Sequence, residues 1–399
     1  MTVSWPVKRL AEVCEFQRGL TYKKTDEVDS SDNVVLRANN IDLLTGLLDL
    51  SDLRCIDDRV DVPTTKQVKA GCLLVCTASG SKSHLGKVAY IDVDYGYAFG
   101  GFMGQICPID ELLPKFLYYR MISEDYREFI QNLSDGANIN NLKFDNLGEF
   151  HVPVPDLKEQ KRIVAILDEA FEGIATAKAN AEKNLENAKA IFEGYLDSTM
   201  VGLCQGGLMK PLGDLCKTAA GGTPLKSKKE YYEGGSIPWI LSGEVAQGEI
   251  TKAEKFITQA GLDGSSAKLF PPNSVLVAMY GATAGQVGIL RFEAATNQAV
   301  CGIYPTEMYQ PEFLFYFFLH SKRALVAQAV GNAQPNISQE KIRSTSIPVI
   351  TVTEQLSVVE RLRSARDEAC ELEDIYRQKL AALEGLKKSL LHHAFSGQL

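Results

Sequence analysis

Phe150-His151-Val152-Pro153-Val154-Pro155-Asp156-Leu157-Lys158-Glu159-Gln160-Lys161-Arg162-Ile163-Val164 carries the chain from a proline-punctuated extended segment into a long helical pattern, and it occurs twice. The second copy is Ser346-Ile347-Pro348-Val349-Ile350-Thr351-Val352-Thr353-Glu354-Gln355. Beyond the first copy, apolar residues recur at Ile163, Ile166, Ala170, Ile174, Ala177, Ala181, Leu185, Ala188 and Phe192, in alternating steps of three and four. Beyond the second they recur at Leu356, Val359, Leu362, Ala369, Leu372, Tyr376, Leu380, Leu383, Leu386 and Leu390, with Ala365 or Arg366 bridging the one long step. This is the spacing of a coiled-coil seam. Some 40 residues of helix make a rod of roughly 60 Å. A lone amphipathic helix of that length would expose its stripe, so each needs a partner, and the other copy is the nearest candidate. An antiparallel pair is expected, with Leu399 returning near the N-terminus and a pseudo-two-fold relating the halves into a closed dumbbell.

The duplication extends outward from this segment at a period of roughly 200 residues. Lys8-Arg9-Leu10-Ala11-Glu12-Val13-Cys14 is echoed by Lys210-Pro211-Leu212-Gly213-Asp214-Leu215-Cys216, and Lys115-Phe116-Leu117-Tyr118-Tyr119 by Glu312-Phe313-Leu314-Phe315-Tyr316. Gly136-Ala137-Asn138-Ile139-Asn140-Asn141-Leu142 matches Gly331-Asn332-Ala333-Gln334-Pro335-Asn336-Ile337, and from there the offset is constant. Each unit opens with short apolar runs rich in turn signals, such as Gly71-Cys72-Leu73-Leu74-Val75-Cys76 and Asn273-Ser274-Val275-Leu276-Val277-Ala278, expected as buried strands. One helix interrupts them, from about Pro114 to Asn132 and from about Pro311 to Val330, each with proline at its opening turn. The expected class is α+β: two pseudo-symmetric globules at 1–152 and 203–347, separated by two long antiparallel coiled-coil helices at 153–202 and 348–399.

Composition sets limits on function. The 399 residues carry a formal charge of -8 and 45% hydrophobic residues, ordinary for a folded chain with two cores. No run of eighteen apolar residues and no leader pattern is present, which points to a cytoplasmic location. Nine cysteines, an odd number among mostly apolar neighbours, read as reduced core residues, and the five histidines supply no zinc-like spacing. No metal or cofactor is expected on this chain. Residues 1–150 hold 16 Lys+Arg against 22 Asp+Glu, and residues 209–346 hold 13 against 11. Any nucleic-acid contact must therefore rest on local basic loops.

Several loops carry the residue types that such contacts use. Phosphates take backbone N–H, Lys, Ser and Thr, whereas base edges take Arg, Asn and Gln. In the first unit these are Arg18, Thr21, Lys23 and Lys24; Arg37, Asn39 and Asn40; and the glycine-rich turn with Thr77, Ser79, Ser81, Lys82, His84 and Lys87. In the second they are Thr223, Lys226, Lys228 and Lys229; Ser242; and Tyr280, Thr283 and Gln286. Amide-rich turns, Asn138, Asn140 and Asn141 against Asn332, Gln334 and Asn336, either read adenine or cap the next segment. Taken singly, a lysine run is ordinarily a solvated face and a glycine turn ordinarily just turns. It is the paired occurrence of each loop that singles it out.

With its two boundary segments, the chain resembles the specificity subunits of type I restriction-modification systems over nearly its whole length. The second copy departs in detail, with Ile350 in place of Pro155. The resemblance implies two target-recognition domains, each reading one part of a bipartite site in double-stranded DNA, with the helices as ruler for the unread gap. It also implies two modification subunits, docked on the spacer helices, that use S-adenosylmethionine to methylate adenine, and restriction subunits that use ATP and Mg. The residues agree with a non-catalytic role, because the amino-methyltransferase signature, a Gly-x-Gly-x-x-Gly and a Walker loop are all lacking. Pro155-Asp156 with Glu159-Gln160-Lys161 mimics a nuclease motif, but both carboxylates fall at one helix start, where they complement the dipole. Two other readings stand at this point: a protein scaffold of two binding globules on a rod, and a stand-alone methyltransferase or nuclease.

Overall fold

The computed structural model describes residues 5–42, 46–81, 84–135, 141–327 and 336–399. Judged by packing, the chain falls into two units, Met1–Ala181 with Gln378–Leu399, and Glu182–Arg377. Each unit holds one globule together with part of both long helices.

In the first unit Cys14–Arg18, Met103–Pro108, Leu73–Cys76 and Val88–Tyr90 lie side by side in that order as an antiparallel sheet. A smaller sheet orders Glu27–Val28, Arg54–Ile56, Val34–Leu36 and Ala98–Phe99, the last pair parallel with Leu36 opposite Phe99. Val7–Arg9 pairs with His151–Pro153 where the globule meets its long helix, Val7 opposite Pro153. The second unit repeats this plan. Thr218–Ala220, Val300–Ile303, Val275–Ala278 and Val287–Leu290 form the antiparallel sheet, with Glu249–Ile250 added in parallel at its edge. Phe256–Ile257, Ile237–Ile240, Ala294–Thr296 and Leu269–Phe270 form the smaller one, with Ile240 opposite Thr296 in parallel, and Met209–Pro211 pairs with Ser346–Pro348.

The all-apolar runs are strands sandwiched between two cores. Side chains alternate across a strand, so Leu73 and Val75 join the large core around Phe116, while Leu74 and Cys76 join a second one around Phe99. Val275 and Val277 face the core around Phe313, and Leu276 and Ala278 the one around Phe270. Burying each such aliphatic side chain contributes about 1.5–3 kcal/mol relative to exposure.

The long helices run Leu157–Gly206 and Val352–Phe395. Within the first unit they are antiparallel. Arg162 donates to the backbone oxygen of Leu399, the Lys387 ammonium lies over the Phe171 ring, and Lys178 pairs with Glu384, so one helix descends as the other rises. Trp5 and Leu399 both pack on the same core. Within the second unit Leu196 and Met200 share a core with Val358, Val359 and Leu362.

Several expectations require correction. The expected helix from Pro114 is two helices, Pro114–Met121 and Glu124–Asp135, because the Ser123 hydroxyl donates to the Arg120 carbonyl, capping the first helix end. The seam also differs in residues. Leu167 is fully buried where the sequence reading has Ile166, and Leu356, Leu372 and Leu386 are exposed. Between Ala369 and Leu390 the buried and half-buried positions are 373, 376, 380, 383, 387 and 390, which keep strict alternation of four and three, and Leu391 and Ala394 are buried in the turns that follow. The period, not the apolar residue one place off it, decides the face. Glu373 and Lys387 therefore sit on the seam. Burial, which disfavours its charged form, lowers the Lys387 pKa, while the aliphatic stem covers the Phe171 ring.

The cysteines are not all reduced: Cys72 and Cys107 are disulfide-bonded. Cys72, immediately before strand Leu73–Cys76, faces Cys107 on the neighbouring antiparallel strand with Cα atoms 4.4 Å apart, a spacing that brings two sulfurs within bonding reach. Cys14, Cys76, Cys216 and Cys301 are buried thiols, and burial pushes Cys14 and Cys301 up to about 12 and Cys216 to about 11. Among the described residues no group of His, Cys, Asp and Glu is placed to hold a metal ion, and no helix is long and apolar enough to cross a membrane.

Candidate nucleic-acid interface

The site in the first globule is assembled by backbone hydrogen bonds that converge on one segment, Gly100-Gly101-Phe102. Leaving strand Leu73–Cys76, the chain at Thr77 donates twice to the Phe102 carbonyl, from its N–H at 2.9 Å and its hydroxyl at 3.0 Å, and Ala78 N–H adds a third bond at 3.1 Å. Gly19 N–H donates to Met103 O and Leu20 N–H to Phe99 O, which draws in the loop carrying Thr21 and Lys24. Gly19 admits no side chain, because a Cβ there would overlap the Gly100 carbonyl. Gly100 N–H donates to Leu36 O, which sets Arg37 and Asn39 alongside. Leu142 N–H donates to Thr77 O at 2.6 Å, so the amide turn ends at the same corner.

The product is a concavity of about 680 Å³ lined by Thr21, Lys24, Arg37, Asn39, Ser79 and His84, all singled out in the sequence. Glu27 is its carboxylate, and Tyr22 and Phe102 supply rings. Asp52 accepts from Arg37 at 3.3 Å and from Asn39 at 2.8 Å, which orients both side chains. The Arg37 Nε is buried without a hydrogen-bond partner.

Other candidates have different positions. Asn40 is 1% exposed. Its amide donates to the carbonyls of Asp49 and Asp52 and its oxygen accepts from Arg37 N–H, so it holds the loop and faces no solvent. Thr77 is buried in the bonds just described. The Lys87 ammonium donates to Ile41 O at 2.6 Å, and burial lowers its pKa. Arg18 lies outside the concavity with its guanidinium 5.6 Å from the Phe144 ring centre. Lys23 and Ser81 are exposed. Lys82 lies outside the described residues, as do Asn138, Asn140, Asn332 and Gln334.

The second globule uses the same frame. Gly221 N–H donates to Val300 O, Gly222 N–H to Thr296 O, Met279 N–H to Ala299 O and Ile337 N–H to Met279 O. Tyr280 bridges Asn336 as Ala78 bridges Asn141. Thr223 hydrogen-bonds Gln298, so it reaches the segment equivalent to Gly100-Gly101-Phe102. Glu244 takes the structural part of Asn40, accepting from Leu241 N–H at 2.8 Å and from Glu254 N–H at 3.1 Å. Ser242 is half-buried between them. Thr283 donates to Tyr280 O, and Gln286 closes the turn through its backbone. Lys226, Lys228 and Lys229 are exposed. Lys228 donates to the Tyr231 hydroxyl at 3.0 Å, which raises its pKa, and Lys229 stands 4.0 Å from Glu233.

Sequence reasoning missed Gly100-Gly101-Phe102, whose signal was a glycine pair before an aromatic. It also missed the glutamines of the two Glu-Gln pairs. Gln160 is fully buried, accepting from Leu113 N–H and donating to the carbonyls of Glu111 and Pro155. Gln355 does the same with Gln310 N–H and the carbonyls of Met308 and Ile350. Each clamps the start of a long helix to the segment leading into the globule's own helix.

Two copies of one α+β globule, each clamped to a long helix and each gathering polar loops at one corner, define a duplicated-domain recognition protein. The chain belongs to the type I restriction-modification DNA specificity family, whose domain matches residues 2–187 and again 208–381. It is 25% identical to the EcoKI specificity subunit of Escherichia coli K12 across 99% of this chain and 89% of that one. It is 29% identical to the EcoR124I/EcoR124II specificity subunit of Escherichia coli across 64% of both chains. Its fold is that of a solved type I restriction-modification chain at a TM-score of 0.78, with 19% identity and coverage of 99% and 98%. It is also similar to the HsdS subunit from Thermoanaerobacter tengcongensis at 0.62, with 18% identity and coverage of 99% and 97%.

Proposed function

We propose that the chain is the non-catalytic subunit that selects the DNA sequence for a cytoplasmic type I restriction-modification complex, each globule reading one half of a bipartite site. The observation that carries this reading is the concavity of the first globule. Backbone bonds bring three loops, far apart in sequence, to one place where Lys24, Arg37, Asn39, Ser79 and His84 offer donors to phosphates and base edges. The second globule keeps the backbone frame and changes the side chains, as two unlike half-sites require.

Methyl transfer to adenine with S-adenosylmethionine, and ATP- and Mg-dependent restriction, would belong to partner subunits. The long helices carry exposed apolar pairs that suit docking of the modification subunits, Ile191 with Tyr195 and Leu372 with Ile375, each pair on one helical face. Mapping methylated adenines genome-wide, with and without this chain, would give both half-sites and the gap. Purified with its modification subunits, the chain should bind that site with an affinity that falls steeply with salt and exceeds binding to unrelated duplex. Salt-insensitive binding without sequence preference would favour a protein scaffold instead, and methyl transfer by the chain alone would make it an enzyme.

A further inference from the structure

Phe102 is 73% exposed, the greatest exposure of any large apolar side chain described. Single exposed apolar residues are common, but the setting of this one is not. Its carbonyl receives the three hydrogen bonds from Thr77 and Ala78, and Met103 N–H closes the turn on Gly100 O at 2.8 Å. At Gly101, just before it, an added Cβ would come within 3.3 Å of Leu20 O and the Thr21 hydroxyl, so the segment lies close to that loop. The backbone is thus pinned while the ring stands free at the lip of the concavity that Lys24, Arg37 and His84 line. The fold does not need the ring there, because Ala299 occupies the equivalent place in the second globule and its carbonyl accepts the equivalent bond from Met279.

We propose that Phe102 is a wedge that enters the base stack of the half-site bound by the first globule, opening one base step. This rests on the DNA-reading function above. The chemistry is that of an apolar ring carried on a stiff corner and flanked by the Lys24 and Arg37 cations. The cations hold the phosphates on either side, and the ring exchanges water for base faces. In the second globule the exposed aromatic at this corner is Tyr280, on the facing segment where the first globule has Ala78. Aromatic and alanine have traded places between the two facing segments. The ring of the second reader therefore reaches DNA from a different backbone position and carries a hydroxyl.

The test uses the full chain assembled with its modification subunits, on a duplex bearing the mapped site, with 2-aminopurine placed in turn at each adenine. The wild type should give a rise in emission at one step that Phe102→Ala abolishes, with affinity falling between about fivefold and a hundredfold, and Phe102→Leu should retain most of both. The adenine that a methyltransferase extrudes also brightens, and that signal should survive Phe102→Ala. An unchanged emission profile and affinity in Phe102→Ala would overturn the wedge while leaving the DNA-reading function intact. Lost affinity with no Phe102-dependent emission would overturn it as well, making the ring a groove or protein contact. A wild-type complex that fails to bind any sequence selectively would instead sink the function itself.

Discussion

The two globules share a hydrogen-bond frame and little of the surface it carries. Asn40 and Glu244 do the same work with different chemistry, each closing a loop by accepting from the backbone N–H three residues earlier. Gln160 and Gln355 do the same work with the same chemistry. The corner residues do different work: Ala78 with Phe102 in one globule, Tyr280 with Ala299 in the other. Positions whose partners are backbone atoms are constrained by the fold, whereas positions facing solvent are free to differ, and difference is what a two-part reader needs.

The largest effect expected is at the paired glutamines. Gln160→Ala and Gln355→Ala each strand one buried N–H and two carbonyls, and each should cost about 3 kcal/mol in urea unfolding. A large loss in one unit and none in the other would break the claim that both junctions are clamped alike. Next come the glycines that let the loops approach. Gly19→Ala and Gly221→Ala place a Cβ against backbone oxygens of Gly100 and of Thr296 and Asn297, so each should cost about 2 kcal/mol and reduce DNA affinity. Normal melting of either variant would show that its corner yields.

A smaller effect sharpens the comparison of charges. Lys24→Gln should weaken binding to all sequences alike and reduce the salt slope by about one. Lys228→Gln should do less, because its ammonium is already engaged by Tyr231. A change of base preference with either would contradict a phosphate role. The smallest effect lies at the helix starts. The Arg162 guanidinium bonded to Glu159, and the Thr351 hydroxyl bonded to Glu354, hold both carboxyls below their ordinary value. A carboxyl lowered on folding adds stability that is fully present above its unfolded pKa, about 4.3, and is lost as pH falls through the folded value. Melting temperatures should therefore slip below about pH 4 in both units. Only the Glu159 share should weaken with added salt, since its partner is an ion.

The repeat, the buried strands and the two long helices were legible because each follows from a period: two for strands, three and four for the helix seam, a constant offset for the duplication. Seam membership failed at Leu356, Leu372 and Leu386, where apolar character competed with register. The Cys72–Cys107 bond was hidden because 35 residues separate partners that only strand register brings opposite. Among candidate contacts, composition could not tell Asn39 from Asn40, one lining the concavity and the other facing inward.

By itself, then, the amino-acid order determined what local physics can encode: where strands and helices lie, that they occur twice, and which family the pattern resembles. Only the tertiary structure decided that Thr21, Arg37, Ser79 and Phe102 meet at one corner, and which neighbouring polar residues are consumed in holding it. That meeting depends on backbone groups of distant segments finding one another, and a backbone N–H or carbonyl looks the same at every position in a sequence.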